Sequence, residues 1–142
     1  MKMAPRLTLK DATIMMQAAE KKAAEIGVDM DIAVTDDGGN LIMFHRMDNA
    51  RITSIDIAIN KAFTAAAARK STRAYGETGK AGGPAFGIHT SNGGRFMIIA
   101  GGLPVFWDDQ IVGGMGCSSG TPDQDEDVAR AGIDALLQSL NK

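Results

Sequence analysis

Cysteine is nearly missing from this 142-residue chain: Cys117 stands alone, which excludes an internal disulfide and any multi-cysteine zinc or iron–sulfur site. Histidine is almost as scarce. Only His45 and His89 could act as strong metal ligands, and no metal site is expected. No apolar run approaches the roughly 20 residues that span a bilayer, so no membrane partner is expected. Positive charge is not in excess either: a formal net charge of -2 gives no global case for nucleic acid, which normally needs a basic face. The opening Met1-Lys2-Met3-Ala4-Pro5-Arg6 lacks the apolar stretch of a secretory signal, which makes a cytoplasmic location the expectation. No repeat of about 20 to 50 residues is visible.

What is present suffices for one domain over residues 1–142. With 44% hydrophobic residues, a chain of this size buries roughly 68% of the surface it exposes when unfolded. From Thr8 to Gly27 the apolar residues Leu9, Ala12, Met16, Ala19, Ala23 and Ile26 recur at steps of three and four, the face of an amphipathic helix capped by Thr8. Met30 to Thr35 alternates, Asp36-Asp37-Gly38-Gly39-Asn40 carries turn chemistry, and Leu41 to Met47 resumes an extended run, which together predict a β-hairpin. An alanine-rich stripe predicts a second helix over Thr53 to Lys70, with Thr53 or Ser54 as its cap. Ser71 to Gly87, rich in Gly, Ser, Thr and Pro, reads as a surface loop. Three short β-like runs follow, Arg95 to Ala100, Leu103 to Trp107 and Gln110 to Cys117, separated by glycine pairs and Asp108-Asp109. Thr121-Pro122-Asp123-Gln124 then caps a last helix. The order αββαβββα predicts an α+β sandwich with a five-stranded, mostly antiparallel sheet. Most of the glycines read as turn punctuation.

The chemistry-bearing side chains are few. Between Arg51 and Arg73 five bases face one acid, Asp56, and two basic positions stand beside apolar neighbours: Lys61 on the alanine-rich helix and Arg46 at the end of a strand. Both are ordinarily solvated stems or salt-bridge partners. Together they could receive a small anionic molecule, the guanidinium as a planar fork and the ammonium as a point charge. His45 and Arg46 are adjacent on a strand, so alternation sends them to opposite faces and they share no pocket unless a bulge intervenes. His89, after the glycine-rich loop, is the better exposed candidate for haem ligation or proton transfer. The acids before the last helix suit its dipole. A lone cysteine ending an apolar strand reads as buried. The run Gly114 to Gly120 lacks dinucleotide spacing, and Thr78-Gly79-Lys80 lacks the phosphate-loop pattern.

Several ordered blocks, read together, carry a resemblance. Asp31-Ile-Ala-Val-Thr-Asp-Asp-Gly-Gly-Asn-Leu-Ile, Phe44-His-Arg-Met-Asp-Asn-Ala-Arg and Ser54-Ile-Asp-Ile-Ala-Ile-Asn-Lys-Ala-Phe-Thr-Ala are followed by Ala100-Gly-Gly-Leu-Pro-Val, Ile111-Val-Gly-Gly-Met-Gly-Cys-Ser-Ser-Gly and Gln124-Asp-Glu-Asp-Val-Ala. In this order, from about Leu7 to Leu140, they resemble the GlcG/HbpS-like haem-degrading domain family, which includes the C-terminal domain of PduO-type proteins. The chain departs from the commonest pattern at Asn49, where glycine is usual, and at Cys117-Ser118-Ser119. The resemblance implies a profilin-like three-layer α/β/α sandwich with a five-stranded sheet, self-association into a homo-oligomer, and haem as a cofactor or ligand. It carries over Arg46 and Asp48 from the Arg-Met-Asp block and Lys61 from the Lys-Ala block as ligand-binding residues, with His89 and His45 as chemically plausible haem ligands. Three readings follow. The first is a cytoplasmic protein binding haem or a related carboxylated small molecule at Arg46 and Lys61. The second is a catabolic enzyme working by acid-base chemistry on a small acid, with Lys61 or His89 moving protons. The third is a structural oligomer in which Arg46 and Asp48 pair across an interface.

Overall fold

The computed structural model describes residues 1–142 and opens with helix α1, Leu9–Glu25. Its start is set locally: the Thr8 hydroxyl accepts from the Asp11 amide at 3.2 Å while the Thr8 amide donates to the Asp11 carboxylate at 2.8 Å. Strands β1, Asp31–Asp36, and β2, Leu41–Arg46, form the expected hairpin, its turn held by the Asp36 carboxylate, which accepts from the amides of Gly38 and Asn40. Helix α2, Thr53–Ala68, follows, but neither Thr53 nor Ser54 caps it. The cap position is Ile52, without a side-chain bond, and the Ser54 hydroxyl instead accepts from that of Ser118 at 3.0 Å.

The segment read as a loop contains an eight-residue helix, α3, Thr72–Gly79, capped by Ser71. Two turns are too short to display a period, and Gly76 and Gly79 argue against helix by propensity. Both are needed for packing. A Cβ at Gly76 would stand 2.5 Å from the carbonyl oxygen of Ile98. Two short 3₁₀ turns, Ile88–Thr90 and Asn92–Gly94, lead to strands β3, Gly102–Trp107, and β4, Gln110–Ser118, and the chain closes with helix α4, Pro122–Leu140, behind the Thr121 capping box.

The sheet has four strands, not five, in the order β2-β1-β4-β3, every neighbouring pair antiparallel. The predicted strand Arg95 to Ala100 does not form because its backbone finds partners outside the sheet. The Met97 amide donates to the Thr64 hydroxyl of α2 at 2.9 Å, and Phe96 packs edge-on against Tyr75 with ring centroids 4.7 Å apart.

Alternation divides the sheet into two unlike faces. Ile32 and Val34 of β1, Leu103 and Val105 of β3, and Met115 and Cys117 of β4 join Met15, Met16 and Ala19 of α1 and Val128, Ala129, Ile133 and Leu136 of α4 in the main core. The other face is almost bare of side chains. Ala33 meets Ala58 and Ala62 of α2, and the glycines of β4 bring helix backbone onto strand backbone. A Cβ at Gly116 would stand 2.2 Å from the Ala58 carbonyl oxygen, one at Gly114 2.5 Å from that of Ala62, and one at Gly102 2.4 Å from that of Lys61. These glycines are packing residues, not turn punctuation.

Gly116→Val is therefore expected to lower unfolding free energy by about 3 kcal/mol or more, because the obstructing atoms are backbone and cannot rotate away. Gly82→Ala, at φ 80° with open space around it, is expected to lose only about 1 kcal/mol through left-handed strain. Urea denaturation of both variants measures the difference.

Candidate functional site

Lys61 occupies the α2 face that lies on the glycines, and its side chain is 1% exposed. Its ammonium donates to the Asp125 carboxylate and to the Cys117 carbonyl, each at 3.0 Å, joining the middle of α2 to the end of β4 and the first turn of α4. The second Asp125 oxygen accepts from the Gly120 amide at 2.8 Å. Burial pushes the Asp125 carboxyl above its ordinary range, against the opposing pull of Lys61 and the Gly120 amide. Asp125 is thus the buried partner of a buried charge, although its place in an acidic helix start suggested only a dipole role. Cys117 is fully buried, which raises its thiol far above the usual value and leaves it no nucleophilic part.

Arg46 does not meet Lys61. It ends β2 at the sheet edge and borders an open cavity of about 470 Å³ that Lys61 does not line. Strand β1 lies between β2 and the β4 backbone that Lys61 touches, so two strand spacings of about 4.8 Å separate their bases. The expected common cavity is absent for that reason. The cavity also collects Glu20, Asp29, His45 and Asp48. His45 and Arg46 do leave β2 in opposite directions, yet both reach this cavity with no bulge between them, because an edge strand lets side chains from both faces meet at its rim. His45 pairs through Nδ1 with Glu20 of α1. Asp29 accepts from the Asn49 amide at 2.7 Å, and Asp48 is exposed.

His89 sits on the first 3₁₀ turn, exposed, at the border of an apolar recess of about 330 Å³ whose walls include Phe86, Phe96, Met97, Ile98 and Ile99. Its ring lies 6.0 Å from that of Phe86, tilted by 53°. Lys80 also borders the recess, with Glu77 3.6 Å from its ammonium. The recess exists because α3 and the non-strand segment 95–100 pack together, a contact that depends on Gly76 and Gly79.

One residue escaped the sequence reading altogether. Asp31, the first residue of β1, has no exposed surface; one carboxylate oxygen accepts from the Ser119 hydroxyl at 2.7 Å and the other has no partner. Ser119 holds a left-handed φ of 103° and also accepts from the Arg51 amide at 2.9 Å. Burial raises the Asp31 carboxyl, against the lowering influence of Ser119, Arg46 and Arg51. The only signal in the sequence was an acid opening an otherwise apolar central strand.

Residues 7–134 match the family described as haem degrading protein HbpS-like. An uncharacterised 15.0 kDa protein in the dhaT-dhaS intergenic region of Citrobacter freundii is 40% identical over 132 residues, covering 93% of each chain. The solved structure of protein ORFY of Klebsiella pneumoniae superimposes with a TM-score of 0.94 at 36% identity, over 96% of this chain and 94% of that one. A complex of PduOC with haem gives a TM-score of 0.88 at 28% identity, over 92% and 94% of the two chains.

Two outcomes follow for the buried charges. Lys61→Met leaves Asp125 buried without its counter-ion and is expected to lose about 3–5 kcal/mol, whereas the exposed Arg46→Ala stays within about 0.5 kcal/mol; urea titration at neutral pH distinguishes them. Because the folded state raises the Asp31 pKa, this group adds stability when protonated and loses it as pH climbs from the ordinary carboxylate range through the raised value. Asp31→Asn is expected to flatten that fall in a series of unfolding curves across acidic to neutral pH.

Proposed function

The chain belongs to the HbpS-like family of haem-degrading proteins, and from that premise we propose that it binds haem, or a related carboxylated planar molecule, in the recess beside His89. The observation that carries this reading is an exposed imidazole, with Lys80 nearby, at the border of a mainly apolar cavity. The donor set suits the group. Phe86, Phe96 and Ile99 would give a flat ring an apolar wall, the His89 imidazole would be a nitrogen ligand for its iron, and Lys80 would be a cation for a propionate. Bound haem would supply one-electron and oxygen chemistry, and these residues would bind and orient it. The haem complex of PduOC, a structural relative, supports the ligand class.

His45 as haem ligand would have to give up Glu20. Lys61, as a ligand-binding or proton-moving group acting on a small acid, would have to leave Asp125 and the interior. A homo-oligomer is favoured by the outer edges of β2 and β3, where Leu41 and Phe106 are 49% and 43% exposed. No helix is long and apolar enough to cross a membrane, and a cytoplasmic place remains part of the proposal.

Titration with haemin is expected to shift the Soret band saturably, His89→Ala to weaken the midpoint at least tenfold, and His45→Ala to leave it unchanged. An absent shift, or one that His89→Ala preserves, overturns the site.

A further inference from the structure

A carboxylate oxygen sealed from water with no donor is an unfilled position, and at Asp31 its surroundings say what would fill it. Asp31 lies directly opposite Arg46 on β2 and Ser118 on β4, so its side chain shares the α2 face of the sheet with theirs. The guanidinium groups of Arg46 and Arg51 both act electrostatically on it, yet neither makes a hydrogen bond or ion pair. Two unengaged anion receptors thus lie within electrostatic reach of the orphan oxygen. Ser119, in its strained left-handed conformation, fixes the other Asp31 oxygen and the Arg51 amide together, and strain of this kind is retained where the surroundings over-determine it, commonly at binding sites.

We infer that this end of the sheet is a second binding site, for a small α-amino acid whose ammonium donates to the free Asp31 oxygen and whose carboxylate is held by Arg46 and Arg51. The ammonium is favoured over a hydroxyl because a charge-assisted donor is roughly twice as strong and also neutralises the buried carboxylate. Arginine suits the other end because its fork matches a carboxylate in two-point geometry. Asp31 and Arg51 do not line the open cavity that Arg46 borders, so on this reading the ligand enters from that cavity past the exposed, unpaired Arg46 side chain. This site is independent of the His89 recess, since none of its residues lines that recess.

An isosteric series tests it. L-Alanine, L-lactate and propionate differ only in the ammonium, hydroxyl or hydrogen beside the carboxylate, and isothermal titration of the intact chain is expected to show alanine binding at least tenfold tighter than either of the others. Asp31→Asn, which keeps the side-chain shape, is expected to weaken alanine at least tenfold while leaving the haemin titration unchanged. Should Asp31→Asn fail to fold by circular dichroism, Arg51→Gln, altered only at an exposed side chain, is expected to weaken alanine to the same extent. No alanine binding, equal binding of lactate or propionate, or full binding by the folded variant overturns the inference; in those cases Arg46 or Arg51 satisfies Asp31 within the chain itself.

Discussion

Helix α2 lies on the sheet at backbone distance, and the rest of the molecule is arranged around that contact. Gly114 and Gly116 leave the strand surface so bare that the helix carbonyls of Ala58 and Ala62 occupy the space where side chains would stand. Where the two backbones touch nothing can be large, so alanines fill the helix side and glycines the strand side. The one long side chain fully buried there is Lys61, and burying its ammonium is tolerable only because Asp125 and the Cys117 carbonyl receive it. The ion pair in turn fixes where α4 begins relative to β4.

The opposite face follows different rules. Methionines and branched residues from α1, α4 and three strands form a thick core of ordinary close packing. With both faces covered, no ligand can approach the middle of the sheet. Exposed chemistry is pushed to the periphery, at the β2 edge where Arg46 and His45 emerge, and at the recess between α3 and the irregular segment before β3. Asp31 is the exception, a charge kept inside at the end of a central strand with half its hydrogen-bonding capacity unused. A buried polar atom without a partner costs about 1–3 kcal/mol. Such a feature persists more readily where function requires it than where packing alone decides.

The helices capped by Thr8 and Thr121 and the Asp36 hairpin were legible because each is settled by residues three or four positions apart, within reach of local hydrogen bonds. The supposed fifth strand was misread for the converse reason. Arg95 to Ala100 has strand-like composition, but its Met97 amide goes to Thr64, 33 residues away, and composition carries no record of that. Helix α3 was hidden by two glycines, Gly76, which admits the Ile98 carbonyl, and Gly79, which lies against the side chains of Ile88 and Ile98. The Arg46–Lys61 convergence failed because strand order, unreadable from the pattern, inserts β1 between them.

Local patterning along the chain was enough for the family resemblance, the two-sided character of the helices and the positions of most turns, since these depend on neighbours in sequence. The partners of the charges were another matter. Lys61 and Asp125 are 64 positions apart and Asp31 and Ser119 are 88 apart, and each pair meets only because four strands assemble in one particular order. Electrostatic energy depends on distance through space and on exclusion of water, and both come into being only when the layers close.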